Sequence, residues 1–446
     1  MGSMRYLAFI CILVTSAMVA NGETFYVAPN GHDTNPGTLQ KPWRTIQKAS
    51  DSLKPGDTIL IRAGTYREQV IPGRSGRNGN YIEYRAYPGD RVTIDGRDIS
   101  LPEWESGLIH IEEVSYIRVV GLRIINAGPH ENSCGIYVDN SSHIVIEKNY
   151  TYNTVSSGIG VWNSSNIIID GNEVELACND GEQECITVAG TGNFEIRNNH
   201  VHHGGPGTNG GEGIDLKDGS HDGKVYGNLI HHLRGERTGI YLDAWDKHTY
   251  NIEVFRNTVH DCSAGISLAS ENGGLLERIK IYNNIVYNNH TNGLEIGNWG
   301  EEGIPRRPIR DIKFINNTVV HNGTSDWGGG IHLENPDAKE ILIRNNIFSQ
   351  NRLAQISNEA KLSAETLTVD HNLIDGFRDY EDEIHGTTYV EEKPLFVNPS
   401  EYDFRLKEGS PAVDRGSPIH APRDDFDGSA RPQRKGYDLG AFEYRD

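Results

Sequence analysis

Apolar and polar residues alternate along this chain in short runs, and the runs recur. An apolar-Gly-Ile-polar-apolar segment is followed by a second apolar strand that ends in Asn-Asn, Gly-Asn or a similar pair. The marker glycines are Gly107, Gly135, Gly158, Gly213, Gly239, Gly265, Gly293 and Gly330, with Cys185 in the same slot. The closing asparagines keep step at Asn149, Asn172, Asn199, Asn228, Asn257, Asn284, Asn317, Asn346 and Asn372. The marker spacing runs from 23 to 37 residues. A strand-bearing unit of this length cannot bury its apolar face alone, so the units must stack. Asn and Gly at the corners are expected to supply the left-handed backbone of sharp turns. The corner asparagines themselves are expected to form structural ladders. The pattern predicts an all-β, single-stranded parallel β-helix of about ten coils.

The ends depart from the repeat. Ile46, Ala49 and Leu53 lie at helical spacing within Trp43 to Leu53, which predicts a short amphipathic helix covering the N-terminal end of the solenoid. Thr58 to Ile61 and Tyr81 to Ile94 begin the coils, and the repeats run to about Asp375. A polar, Pro-rich tail is expected to pack back as a C-terminal cap. The expected organisation is therefore 1–22 leader, 23–105 N-terminal cap and first coils, 106–375 repeats, and 376–446 capping segment. Within the leader, Arg5, the apolar run Leu7 to Val14 and the small residues Ala17 to Ala20 read as a secretory signal peptide, cut near Ala20 or Gly22. Met1-Gly2-Ser3 before a second Met looks like a cloning prefix. Export to periplasm or medium follows as an expectation, and no later apolar run reaches membrane-spanning length.

Charge narrows the partner classes. A formal net charge of −20 without a basic stripe argues against nucleic acid. Beyond the leader stand Cys134, Cys178, Cys185 and Cys262. Cys178 and Cys185 bracket a polar loop and could bridge in an oxidising compartment; metal binding is the rival reading, though no CxxC pair or His cluster supports it. Cys134 and Cys262 fall in inward or corner slots, as packed thiols do.

Stacked coils lie about 4.8 Å apart, so equivalent slots form columns on the outside of the solenoid. A column of outward side chains makes a long groove suited to a linear polymer. The polar residues concentrate in the middle of the repeat: Glu184; then Glu212, Asp215, Lys217 and Asp218; then Tyr241, Asp243, Trp245, Asp246 and Lys247; then Glu295, Asn298 and Trp299; then Trp327, His332 and Glu334. Single outward charges are cheap because they are solvated. The grouping of Asp215, Lys217, Asp243 and Glu295 asks for a chemical reason. Tyr241, Trp245, Lys247, Trp299, Trp327, His332 and Glu334 are the candidate substrate contacts, the tryptophans as sugar-stacking platforms.

The opening Phe25-Tyr26-Val27-Ala28-Pro29-Asn30-Gly31, with Asn35-Pro36-Gly37-Thr38, Thr45-Ile46-Gln47-Lys48-Ala49 and Pro55-Gly56-Asp57-Thr58, resembles the start of secreted right-handed β-helix carbohydrate-active proteins. The tail, Phe404-Arg405-Leu406, Ser410 to Asp414 and Arg431-Pro432 to Tyr444, is similar to the C-terminal segment many of them carry. The resemblance implies a right-handed coil and a polysaccharide or oligosaccharide substrate. The segment Glu212-Gly213-Ile214-Asp215-Leu216-Lys217 resembles the Glu-x-Ile-x-x-Lys of polysaccharide lyase family six, the alginate lyase and chondroitinase B group. By that resemblance Glu212 would be a calcium ligand and Lys217 the base. Glu184, one coil earlier in register, could be a second ligand, because calcium favours clustered carboxylates. Asp215 and Asp218 beside Lys217 would raise its pKa, against what a base needs. Two positions depart from the lyase patterns. Asp243 stands where family six has an arginine, and in the run Asn292-Gly293-Leu294-Glu295-Ile296-Gly297 Glu295 replaces the lysine of family nine.

Three activities therefore compete. A lyase eliminating across a uronate would use Lys217 as base with calcium on Glu184 and Glu212. A glycoside hydrolase would use a carboxylate pair, Asp215 with Asp243 for the separation of about 5 Å that retention needs, or Asp243 with Glu295 for the roughly 6.5–9.5 Å of inversion. A non-catalytic glycan-binding protein would need the tryptophans but not a lysine among carboxylates. The chain is expected to be a monomer.

Overall fold

The computed structural model describes residues 22–180, 183–205, 210–233, 235 and 237–445. The expected leader lies outside them. The chain winds as a right-handed parallel β-helix with almost no helix. Each coil adds one strand to each of three parallel sheets of 13, 12 and 10 strands. The first sheet runs from Thr24–Val27 to Leu367–Asp370, the second from Gly64–Tyr66 to Leu373–Asp375, and the third from Ser106–Glu112 to Ile356–Ser357. Inward Ile, Val and Leu of all three form one continuous core.

The marker glycine of each repeat is not one of the left-handed corner residues. Gly213, Gly239 and Gly265 are absent from the left-handed residues. A Cβ on Gly213 would sit 2.4 Å from the Gly239 carbonyl oxygen and 2.6 Å from the Ile230 side chain. On Gly265 it would meet the Gly293 oxygen and Val286 at 2.3 Å. At these positions the slot is glycine because the coils close on each other and a Cβ would clash, whereas at Cys185 the same slot holds a buried thiol. The left-handed backbone falls, as expected, on Gly and Asn at the corners, among them Gly171, Asn198, Gly227, Asn283, Asn316 and Asn345, each directly before a ladder asparagine, and also on Arg256.

The ladder asparagines point inward and are buried. Asn257 is representative. Its Nδ2 donates to Val225 O and to Asn284 Oδ1, both at 3.0 Å, while its Oδ1 accepts from the backbone N and Nδ2 of Asn228 at 3.0 and 2.9 Å. Alanine at this position leaves several buried polar groups without partners. At about 1–3 kcal/mol per orphaned group, Asn257→Ala is expected to destabilise by roughly 3 kcal/mol or more. Denaturant unfolding checks this, and a loss under about 1 kcal/mol would show that the ladder carries little.

The predicted N-terminal helix forms over Ile46–Ser52, with the Thr45 side chain accepting from Lys48 N as its cap. It buries Ile46 and Ala49 in the first coils, and Pro55 follows its end. At the other end the tail does two things. Glu383, Thr387 and Val390 bridge to Ser357, Asp370 and Leu373 and cover the last coil. Beyond them the chain turns back along the outside of the second sheet. There Phe396, Phe404, Leu406, Leu439 and Phe442 pack on Ile285, Tyr287, Val320, Ile347 and Leu373. A buried ion pair, Arg431 Nη1 to Glu443 Oε1 at 2.7 Å, pins this strap.

All four cysteines beyond the leader are buried and free, so the bridge considered for Cys178 and Cys185 is not formed. Burial and the adjacent Cys185 thiol push Cys178 well up, which keeps it protonated. Among the described residues no helix is long and apolar enough to cross a membrane.

Candidate active site

The third sheet carries the groove. Along it Ile214 pairs with Ile240, Asp215 with Tyr241 and Leu216 with Leu242. Inward Ile214 and Leu216 anchor the strand Ile214–Lys217 in the core, so the alternate residues Asp215 and Lys217 must face outward. The strand Ile240–Asp243 does the same for Tyr241 and Asp243. Lys217 and Asp243 thus take the same slot on successive coils.

A cleft of about 660 Å³ opens over these two strands, lined by Glu184, Glu212, Asp215, Lys217, Asp218, Tyr241, Asp243, Trp245, Glu271 and Glu301. It unites seven of the sequence-predicted residues: Glu184, Glu212, Asp215, Lys217, Tyr241, Asp243 and Trp245. Lys217 is the only cation among the described lining residues. Its Nζ donates to Glu184 Oε1 at 2.7 Å and lies 3.8 Å from Asp215 Oδ2. Thr187 Oγ1 holds the other Glu184 oxygen at 2.9 Å. Asp243 Oδ1 accepts from Trp245 N at 2.8 Å, and Tyr241 donates to Glu271.

The expectation that outward charges are solvated fails here. Asp215 is 2% exposed, Asp243 4% and Glu184 5%. Burial raises the cost of a negative charge, and a neighbouring negative charge adds to it. Burial and then Glu184 push Glu212 up to about 7. Burial and then Glu271 push Asp243 up to about 7. Asp215 is driven well above the usual aspartate range by burial and Glu184, which outweigh Lys217. Burial would lower Lys217, but Glu184 and Asp215 outweigh it and hold the ammonium above its ordinary value. The cleft thus sets a protonated Lys217 beside three carboxyls, those of Glu212, Asp215 and Asp243, whose proton affinity is raised.

Asp215 Oδ1 is buried and accepts no hydrogen bond. An all-oxygen, acid-rich donor set with an orphaned carboxylate oxygen suits a hard cation such as calcium.

Glu295 is not brought to this cleft. It takes the slot of Tyr241 two coils on, through Ser267. There it is buried and accepts from Ser267 and from Asn292 Nδ2. Trp327 and His332 line a separate small hollow with Asn292, Glu359 and Tyr380. Glu334 receives Asn298 N at 3.1 Å. Trp299 borders the main cleft, donating from Nε1 to Tyr241 Oη at 3.1 Å. None of the three candidate tryptophans is core; Trp299 and Trp327 are 38% and 49% exposed. Lys247 stands on an exposed turn outside the lining.

Sequence reasoning missed Glu271 and Glu301, which come from segments beyond the strand ends. It also missed an aromatic stripe on the same sheet, where His110 stacks on Tyr137 at 4.9 Å and Tyr137 on Trp162 at 5.1 Å. Aromatic residues at the Gly-Ile register were the available signal.

Residues 25–228 match the family described as Pel9A-like, right handed beta helix region, and residues 177–319 match the right handed beta helix region. Pectate lyase PEL9 of Emericella nidulans is 33% identical over 144 residues, spanning 30% of this chain and 34% of that one. The solved pectate lyase Pel9A superposes with a TM-score of 0.56 at 15% identity, covering 96% of this chain and 98% of that one. XylC, solved with xylose, gives 0.57 at 14% identity, covering 94% and 98%. At those identities the likeness is one of fold. The uncharacterized protein YwoF of Bacillus subtilis (strain 168) is 30% identical over 458 residues, covering 91% of this chain and 95% of YwoF, and the chain belongs to its family of right-handed β-helix proteins.

Proposed function

We propose that this protein is an exported polysaccharide lyase that performs β-elimination on a uronate-containing glycan in the cleft around Lys217. The observation that carries the reading is the imbalance of the cleft, seven carboxyl groups lining it with one lysine, while Arg237 adds its charge beside Glu212. Such a site neither keeps all its charges nor admits an acidic polymer unless a cation enters with it. Glu184, Glu212 and Asp215 would hold calcium. Bound there, the ion would neutralise these carboxylates and the uronate's own. Lys217, no longer held by Glu184, would take the proton alpha to the uronate carboxylate. Asp243 and Tyr241 would position the sugar, with Trp245 and Trp299 against its faces. The partial relationship to pectate lyase PEL9 and the Glu212–Lys217 resemblance to family six favour the same chemistry.

One observation favours a second reading. Asp243 at about 7 and the raised Asp215 are carboxyls able to carry a proton at neutral pH, as the general acid of a glycoside hydrolase must.

The products separate the two. Incubated with a panel of plant, algal and animal polysaccharides, the calcium-loaded protein is expected to release 4,5-unsaturated uronates, seen by their ultraviolet absorbance. New reducing ends without that absorbance would replace elimination by hydrolysis. Glycan binding with no cleavage of any polymer would leave a binding protein.

A further inference from the structure

The second sheet carries imidazoles that the cleft on the third sheet does not use. His202, His231, His260 and Tyr287 occupy one outward slot on successive coils, with His200 two residues before His202. His203, His232 and Asp261 follow at the left-handed corner, with φ of 56°, 52° and 51°. The rings stack along the column: His231 on His260 at 4.9 Å, His260 on Tyr287 at 4.7 Å, and His203 on His232 at 5.5 Å. Ring nitrogens converge as well. His200 Nε2 lies 2.7 Å from His231 Nε2, and His231 Nδ1 lies 2.7 Å from His232 Nδ1.

A carboxylate joins the imidazoles at each end. Glu173 Oε1 is 3.4 Å from His202 Nε2; Asp261 Oδ2 is 2.6 Å from His260 Nδ1 and 4.0 Å from His232 Nε2. In two groups, Glu173 with His200 and His202, and His232 with His260 and Asp261, the ligand atoms all lie within 4.8 Å of one another. Stacked imidazoles cannot share a surface as cations without repelling. Neutral imidazoles keep the lone pairs a metal needs. The strap reaches Tyr287, where Tyr402 stacks at 4.5 Å, and so adjoins the histidines on this face.

Two nitrogens and one carboxylate oxygen, with positions left for water, are a donor set for a borderline cation and not for calcium. We propose that this face binds two divalent transition-metal ions of the zinc class, one on Glu173, His200 and His202, the other on His232, His260 and Asp261. Each ion links two adjacent coils, so it fastens the solenoid from outside.

The test uses the full chain stripped with a chelator and then titrated with zinc in a calorimeter. Two ions per chain and a raised melting temperature are expected. His202→Asn and His260→Asn should each lose one ion, and the double variant should lose both together with the rise in melting temperature. No zinc binding, or a stoichiometry unchanged in the double variant, would overturn the proposal. A second measurement needs no variant. Zinc should protect His200, His202, His232 and His260 from diethyl pyrocarbonate, read residue by residue by mass spectrometry, and equal modification with and without zinc would also overturn it.

Discussion

Lys217→Arg is expected to lower kcat by a factor of about 1,000 or more, roughly 4 kcal/mol, while leaving the melting temperature within a few degrees of the parent. Arginine keeps the positive charge that Glu184 and Asp215 require, so the buried ion pair survives. It cannot surrender its proton at any accessible pH, so it cannot serve as a base. Lys217→Ala mixes the two effects. It removes the base and also leaves Glu184, only 6% exposed in its side chain, without its cation. Breaking a buried pair in this way costs about 3–5 kcal/mol unless the carboxyl takes up a proton. Kinetics and melting of the arginine variant therefore give the cleaner result. Activity within about tenfold of the parent, a cost of only about 1.4 kcal/mol, would remove Lys217 from the chemistry.

Asp243→Asn should do the reverse, stabilising the fold while lowering turnover. Asp243 binds its proton more tightly in the folded chain, at about 7, than in the unfolded chain, at about 4. Its contribution to stability is complete below pH 4 and is lost as pH rises through 7. At about 1.4 kcal/mol per tenfold change in proton affinity, the ionised group costs roughly 4 kcal/mol above pH 8. Asparagine carries no such charge and keeps the Oδ1 that accepts from Trp245 N. The variant is expected to melt several degrees higher than the parent at pH 8.5 and equally at pH 4. A variant that melts lower at alkaline pH would show that the Asp243 carboxylate is satisfied and not strained.

The fold is legible because two of its constraints narrow the residue choice sharply. Glycine clears the backbone where successive coils nearly touch, and asparagine has the reach to donate and accept between coils along the buried ladder. Both therefore repeat at visible spacing. The cleft is legible as far as it lies on strands: once Gly213 and Gly239 are aligned, the outward slots of Asp215, Lys217, Tyr241 and Asp243 follow from alternation. Glu271 and Glu301 are not legible that way, since their segments follow the strands at variable length and have no register. Glu295 shows the opposite failure. It shares the column of Asp215 and Tyr241, but hydrogen bonds to Ser267 and Asn292 turn it into its own surroundings. Burial of the acids, and hence their raised proton affinity, comes from the coils closing around them. No single repeat contains that information.

The C-terminal strap alters how such a rod comes apart. In a plain solenoid each coil touches only its neighbours, so it can fray from either end one coil at a time. Here the returning tail bonds to four successive coils. Arg256 Nε donates to Asp425 O, Asn283 to Asp424 O, Asn316 to Asp438 O and Asn345 to Ser417 O. None of those coils can open without releasing the same strap, so the C-terminal half should yield as one unit under heat or under pulling force. The coils before Arg256 lack that clasp among these contacts, and they should unwind in smaller steps.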